Sequence, residues 1–281
     1  MTETEPLILV RPPHGLATLN LRELVQYGEL VRTFARREIL LRYRQTALGV
    51  VWVVLQPLLT AGIASFVFGK VAGFAQGDPA FFMRAFSGQI AWTIFGLSIF
   101  KISTCLVGNS AMLSKVFFPR LTLPVASTLA AQLDTLVALA AFVLLMPFFS
   151  VLPSLALLTL PLWFAALATM ALGVGMMAAA LMVSYRDVQF LLPVWLNALM
   201  VFSPVQWPLT RMAEKLGALG SLYLVCNPAA ILIEGFRWSL MGGTLPLEAW
   251  QIVYAAVVSV AILFMGLLIF RTQERRFADV I

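Results

Sequence analysis

Four arginines crowd the approach to the first long apolar run of this chain: Arg36, Arg37, Arg42 and Arg44, with Tyr43 between the last two. Guanidinium groups offer paired donors to phosphate oxygens, so the chemistry open to this cluster is recognition of anionic headgroups. Near a membrane surface each such residue adds about 1 kcal/mol of attraction to anionic lipid. The same arginines equally serve as a plain topology signal, because basic residues flank the cytoplasmic end of a membrane helix. The run that follows, Leu48 to Gly69, carries no charge and is long enough to cross a bilayer.

Other chemistries are poorly provided for. Hydrophobic residues make up 61% of the chain and charged ones 11%, where a soluble domain has about 25% charged. The net charge of +6 raises nucleic acid as a partner. The Lys and Arg residues sit at the ends of apolar runs instead, so no nucleic-acid partner is expected. Cys105, Cys226 and the single His14 cannot make a Cys/His metal site of the usual spacing. A disulfide framework is not expected either. No loop of the form G-x-x-x-x-G-K-[ST] occurs, and one histidine in the N-terminal tail rules out a Ser-His-Asp arrangement. No catalytic residue and no bound cofactor are expected. Asp134 is the one acid inside an apolar span, fewer than a proton relay uses. The pattern is that of a conduit driven from elsewhere.

The elements that would position these residues are membrane helices. Six spans are predicted, at about 48–69, 86–108, 124–149, 155–183, 188–206 and 250–270. The first 20 residues lack an apolar signal core. With the N-terminus inside, inner segments hold 13 Lys and Arg residues against 5 outside, and both termini lie in the cytoplasm. Pro161 in the long fourth span predicts a tilt or kink. Residues 1–19 read as a cytoplasmic tail, and 20–37 as an amphipathic helix lying in the membrane interface and leading into a basic junction that ends at 45. In that helix Asn20 and Glu23 have capping-box spacing; Leu21, Leu24, Val25, Gly28, Val31 and Phe34 share one face. Between the last two spans, 207–249 holds an apolar segment broken at Asn227-Pro228, too short to cross; it reads as a re-entrant or interfacial helix pair.

Several stretches carry a resemblance. Arg42 to Trp52, followed by Leu55-Gln56-Pro57-Leu58, is similar to the signature of ABC-2-type permeases that export polysaccharides. Phe117-Phe118-Pro119-Arg120-Leu121-Thr122-Leu123-Pro124, Ser203-Pro204-Val205, Asn227-Pro228 and the terminal Phe277 to Ile281 resemble the family in the same order. Gln206-Trp207 departs from it, since members more often carry an aromatic nearer the proline. O-antigen exporters resemble the chain most, with capsule and teichoic-acid exporters close by. The resemblance implies an all-α ABC-2-type permease fold over 46–281, working as a homodimer in the bacterial inner membrane. Two separate ATP-binding cassette subunits would hold ATP and Mg, and the cargo would be a lipid-linked polysaccharide such as O-antigen on polyprenyl pyrophosphate. A drug or small-molecule permease of the same fold, or a membrane scaffold or ATP-independent flippase, is the competing class.

On that reading Arg36, Arg37, Arg42 and Arg44 attract the pyrophosphate, and Tyr43 stacks on sugar. The loop 109–123 supplies a coupling helix to the ATP-binding subunit, with Phe117 and Phe118 as exposed anchors beside Lys115, Pro119 and Arg120. Trp52, Trp92 and Phe95 are candidates to line the channel, because a pyranose face stacks on an aromatic ring. Gly173 and Gly175, with Ala178 and Ala179, predict close helix packing. Lys101 and Asp134 are the charges deep within spans; at 1.5 Å per residue they lie roughly 10 and 15 Å in, within reach of one another. A lone charge there costs about 2.5–3.5 kcal/mol, so they are expected to pair.

Overall fold

The computed structural model describes residues 26–44, 49, 51–75, 77–113, 115–116, 118–207, 209–210 and 217–274. Every regular element among them is helical, as expected where no water is present to satisfy an open backbone. The first, α1 (Gly28–Tyr43), is amphipathic: Val31 and Ala35 are buried and Phe34 half-buried, while Glu29, Thr33 and Arg36 are exposed. It continues to Tyr43 instead of ending at 37, which brings Arg42 into its last turn. The Asn20–Glu23 pair lies outside the described residues.

Five helical rods are long and apolar enough to cross a membrane: Val51–Val71, Phe81–Gly108, Thr122–Phe149, Leu155–Ser184 and Ala249–Gln273. The first is α2 (Val51–Ala64) prolonged by π-helical turns over Ser65–Val71. The second joins α3 (Phe81–Trp92) to α4 (Ser98–Gly108) through a π-helical stretch, Thr93–Leu97. The next two are built on α5 (Thr122–Leu145) and α6 (Leu160–Ser184). Pro161 falls in the first turn of α6, where no backbone donor is needed, so the predicted kink has no cause there. Among the described residues, Pro57 and Pro193 are the prolines set inside helices.

The expected fifth span is shorter than its fellows. α7 (Val188–Phe202) has 15 residues, roughly 22 Å of helix against a hydrocarbon core of about 30 Å. The chain then turns through Ser203–Val205 and returns as α8 (Gly220–Cys226) and α9 (Pro228–Met241), broken at Asn227. The last rod is α10 (Ala249–Gln273). Five long helices and one short apolar one therefore stand where six spans were predicted.

α6 is the central post, packed along α10 on one side and α4 on the other. Its contact with α10 depends on glycine: a Cβ on Gly266 would sit 2.2 Å from the Gly173 carbonyl oxygen, so only two bare backbones fit. α2 and α10 each bury just 17% of their apolar windows, which leaves Ile63, Phe66, Val257 and Phe264 on outward faces. This is a multi-pass membrane protein.

Candidate functional site

Where α1 meets the bundle, charges from three helices converge. Asp134 lies in the fourth turn of α5 and is 6% exposed. Its Oδ2 accepts from Lys101 Nζ of α4 at 2.7 Å, and the same oxygen accepts from Arg42 Nη1 of α1. Arg42 also faces Glu38, one turn back, at 3.5 Å. Glu38 Oε2 in turn accepts from the Ser127 hydroxyl of α5 at 2.9 Å. Among the described residues, two cations and two carboxylates meet here. That balance is what lets charge persist at such a position, since an unpaired buried ion costs several kcal/mol. The side chains differ in exposure: 8% for Asp134 and 13% for Lys101, but 28% for Arg42. The anion is closed in while the arginine is partly exposed.

Beside Lys101 lies a cavity of about 300 Å³ between α1, α4 and α5. Arg37, Glu38, Lys101, Thr104, Asn109 and Ser127 supply its polar lining, and Cys105 part of its apolar wall. Two cations against one carboxylate in its lining suit an anionic group.

The other predicted residues fall as follows. Arg36, Arg37 and Arg44 are exposed, with Arg37 Nη1 3.6 Å from Met112 Sδ. The side chain of Tyr43 lies outside the described residues, as do all of Phe117 and the terminal Phe277 to Ile281. Lys115 is exposed, but Phe118 is 6% exposed, its ring edge-on to Phe34 of α1 at 5.2 Å. The expectation of an exposed Phe118 anchor is therefore corrected: the apolar face of α1 claims it. Arg120 donates to the carbonyl of Glu274, so it ties the loop to the residue just past α10. Among the described residues of 109–123 the helix is one short turn, Ser110–Leu113.

The channel candidates divide. Trp52 is 48% exposed on α2, whereas Trp92 and Phe95 are 8% and 1% exposed. They pack edge-on at 5.9 Å inside the bundle. Trp92 and Phe95 are buried in the core of the described bundle.

At the opposite end of the molecule lies a second charged centre that the sequence reading missed. Arg237 (3% exposed) pairs with Glu234 (6%) one turn earlier on α9. The guanidinium also donates to the carbonyls of Pro204, of Val205 at 2.9 Å and of Arg84 at 3.2 Å. Asn227 Nδ2 donates to Ser203 Oγ at 2.9 Å, and Tyr223 Oη to the Phe202 carbonyl at 2.7 Å. α8 and α9 together satisfy the backbone where α7 stops, which explains how Ser203-Pro204-Val205 and Asn227-Pro228 work as a pair. Gly88 belongs to the same joint, since a Cβ there would lie 1.9 Å from the Val205 oxygen. By sequence, Arg237 is one of the five outer-segment basic residues. The signal was present, as Glu234 and Arg237 are spaced i,i+3 within an apolar stretch.

Comparison with known proteins agrees with this architecture. The family model described as ABC-2 type transporter matches residues 29–241. The O-antigen export system permease protein RfbA of Myxococcus xanthus is 27% identical over 92% of this chain and 97% of its own length. Its namesake from Klebsiella pneumoniae is 24% identical over 90% and 95%. The polysialic acid transport protein KpsM of Escherichia coli is 27% identical over 85% and 91%. The match to the transporter's membrane domain covers α1 to α9, both charged centres included, and the chain belongs to the ABC-2 type transporter family as a permease without a nucleotide loop of its own.

Proposed function

We propose that this chain is the permease subunit of a bacterial exporter that carries a lipid-linked polysaccharide across the inner membrane, with O-antigen on polyprenyl pyrophosphate as the leading cargo. The observation that carries this reading is the end-to-end match, at 92% of this chain and 97% of the relative, to a permease named for O-antigen export. The cationic cavity beside α1 supports it, because a pyrophosphate needs donors at the face where it enters. In this reading α7 completes six crossings of a domain running from 46 to 281, both termini are cytoplasmic, and α8 and α9 form a re-entrant pair within 207–249. The chain works as a homodimer with two ATP-binding cassette subunits, which hold ATP and Mg. Lys115 and Pro119, in the coupling loop 109–123, face those subunits.

The relative named for polysialic acid transport, at 27% identity, favours a second reading in which the cargo is a capsular polymer. Depleting the chain in its host decides between them. A lipid-linked glycan should accumulate in the inner membrane, and its sugar composition and lipid anchor identify the cargo. If no such glycan accumulates, polysaccharide export is wrong. Purification of the tagged chain should recover a protein bearing the G-x-x-x-x-G-K-[ST] loop, in a two-to-two complex by native mass spectrometry. Recovery without one removes the ATP-driven part.

A further inference from the structure

We propose that the turn joining α5 to α6 is a lipid-binding surface, seated among acyl chains of the bilayer and not in water, where a turn between two membrane spans ordinarily lies. Leu144, Phe148, Leu152, Leu155, Leu158 and Leu162 are each between 72% and 86% exposed. Leu144 and Phe148 stand one turn apart on the way into the turn, and Leu158 and Leu162 one turn apart on the way out. The apolar face of the turn therefore continues those of the two helices that lead to it. No charged residue occurs between Asp134 and Arg186. A contiguous apolar patch of this kind marks a surface that something covers. Length identifies lipid as the cover. The rods Thr122–Phe149 and Leu155–Ser184 have 28 and 30 residues, roughly 42 and 45 Å at 1.5 Å per residue against a hydrocarbon core of about 30 Å. An apolar stretch longer than the core tilts or thickens the bilayer around itself, and either response keeps the turn among acyl chains.

A turn can enter lipid only if the protein itself satisfies its backbone, and this one is built that way. Ser150 takes a left-handed conformation, φ 54°. Its N–H donates to the Pro147 carbonyl at 3.4 Å and that of Val151 to the Met146 carbonyl at 3.1 Å, which closes the end of the helix. Pro147 and Pro153 have no N–H to satisfy. Ser154 opens the next helix, its Oγ accepting from the Ala156 N–H at 3.2 Å and its carbonyl from the Leu157 N–H at 3.0 Å. The other side of the turn is fastened to the bundle: Val151 is buried, and Phe149 stacks on Phe82 at 5.2 Å. Phe82 lies in sequence between Asp78 and Arg84, whose ion pair at 3.0 Å joins side chains 34% and 45% exposed. Water is the fitting solvent for that pair, so one end of the molecule meets water beside α3 and lipid beside the α5–α6 turn.

Spin labels read the solvent directly. Cys226 is exposed and Cys105 buried, so a Cys226→Ser background accepts a nitroxide at Leu152→Cys, Leu155→Cys or, as the water reference, at the exposed Lys70→Cys. In the full chain in phosphatidylcholine nanodiscs, labels at 152 and 155 should collide several-fold more with oxygen, which concentrates in lipid, than with the water-soluble nickel chelate NiEDDA. The label at 70 should show the reverse. Labels at 152 and 155 that behave like the one at 70 place the turn in water and overturn the proposal. Low collision with both reagents makes the cover a protein surface, a second copy or another partner, and overturns the lipid assignment. The chain without substitutions gives an independent reading. Phosphatidylcholine with a diazirine on its acyl chain should mark the peptide 147–158 as strongly as the outward face of α2 that carries Ile63 and Phe66. Marking of α2 alone overturns the proposal whatever the spin labels show.

Discussion

The two charged centres use the same ingredients in opposite ways. Around Arg237 the guanidinium spends its donors on one carboxylate and on backbone carbonyls that cannot move, and both ionic side chains are at most 8% exposed. Around Asp134 the partners are side chains on separate helices; Arg42 is 28% exposed and Lys101 lines a cavity. Backbone acceptors at the end of a helix have no alternative, so they hold an arginine permanently. Side-chain partners can be exchanged for a better ligand. A buried ion pair therefore signals neither rigidity nor function by itself; what its donors reach decides which it is.

The comparison can be broken most severely at Arg237. Arg237→Met leaves Glu234 charged and buried and strips the carbonyls after α7 of their donors, a loss of about 3–5 kcal/mol. The yield of monodisperse protein in detergent should collapse. Arg237→Lys keeps the charge but not the fork and should recover only part of it; full recovery would mean that the carbonyl contacts contribute little. Asp134→Asn comes next, at about 2–3 kcal/mol, since Lys101 loses its anion at depth but lines a cavity. Exchanging the charges, Lys101→Asp with Asp134→Lys, should melt above either single neutralisation, although Arg42 then faces a lysine and limits the rescue. A swap that melts below both singles would show that Arg42, not Lys101, is the main partner.

Gly88→Ala tests the closed centre without touching a charge. The added methyl meets the Val205 oxygen, and separating α3 from the chain after α7 should cost about 1–3 kcal/mol, read as a lowered melting temperature. The smallest effect is expected at Glu38→Gln, an i,i+4 partner of Arg42 that is half open to solvent, at about 0.3–0.5 kcal/mol. A loss as large as that of Asp134→Asn would make Glu38, not Asp134, the principal anchor of α1.

Much of this was legible beforehand. The apolar runs located the long helices to within a few residues, because a bilayer demands ~20 such residues in succession. Lys101 and Asp134 drew attention as charges in apolar surroundings, and the structure places them 2.7 Å apart. Arg42 as a third member was not legible: its reach to Asp134 depends on α1 continuing to Tyr43 and lying along α5. Phe118 failed for a related reason, since an aromatic between charges reads as exposed until a neighbouring helix covers it.

The sequence by itself determined the class of molecule, the lengths of its membrane helices and the sites where charge had to be compensated. Hydropathy and the cost of burying an ion act locally along a chain, so they can be read from it. Only the tertiary structure decided which charges compensate which, that α7 stops short and is closed off by α8 and α9, and that Trp92 and Phe95 face the core. Those outcomes depend on contacts between residues far apart in the chain, such as Arg42 with Asp134 and Arg237 with Val205. Helix periodicity states which residues share a face, and packing alone states what that face meets.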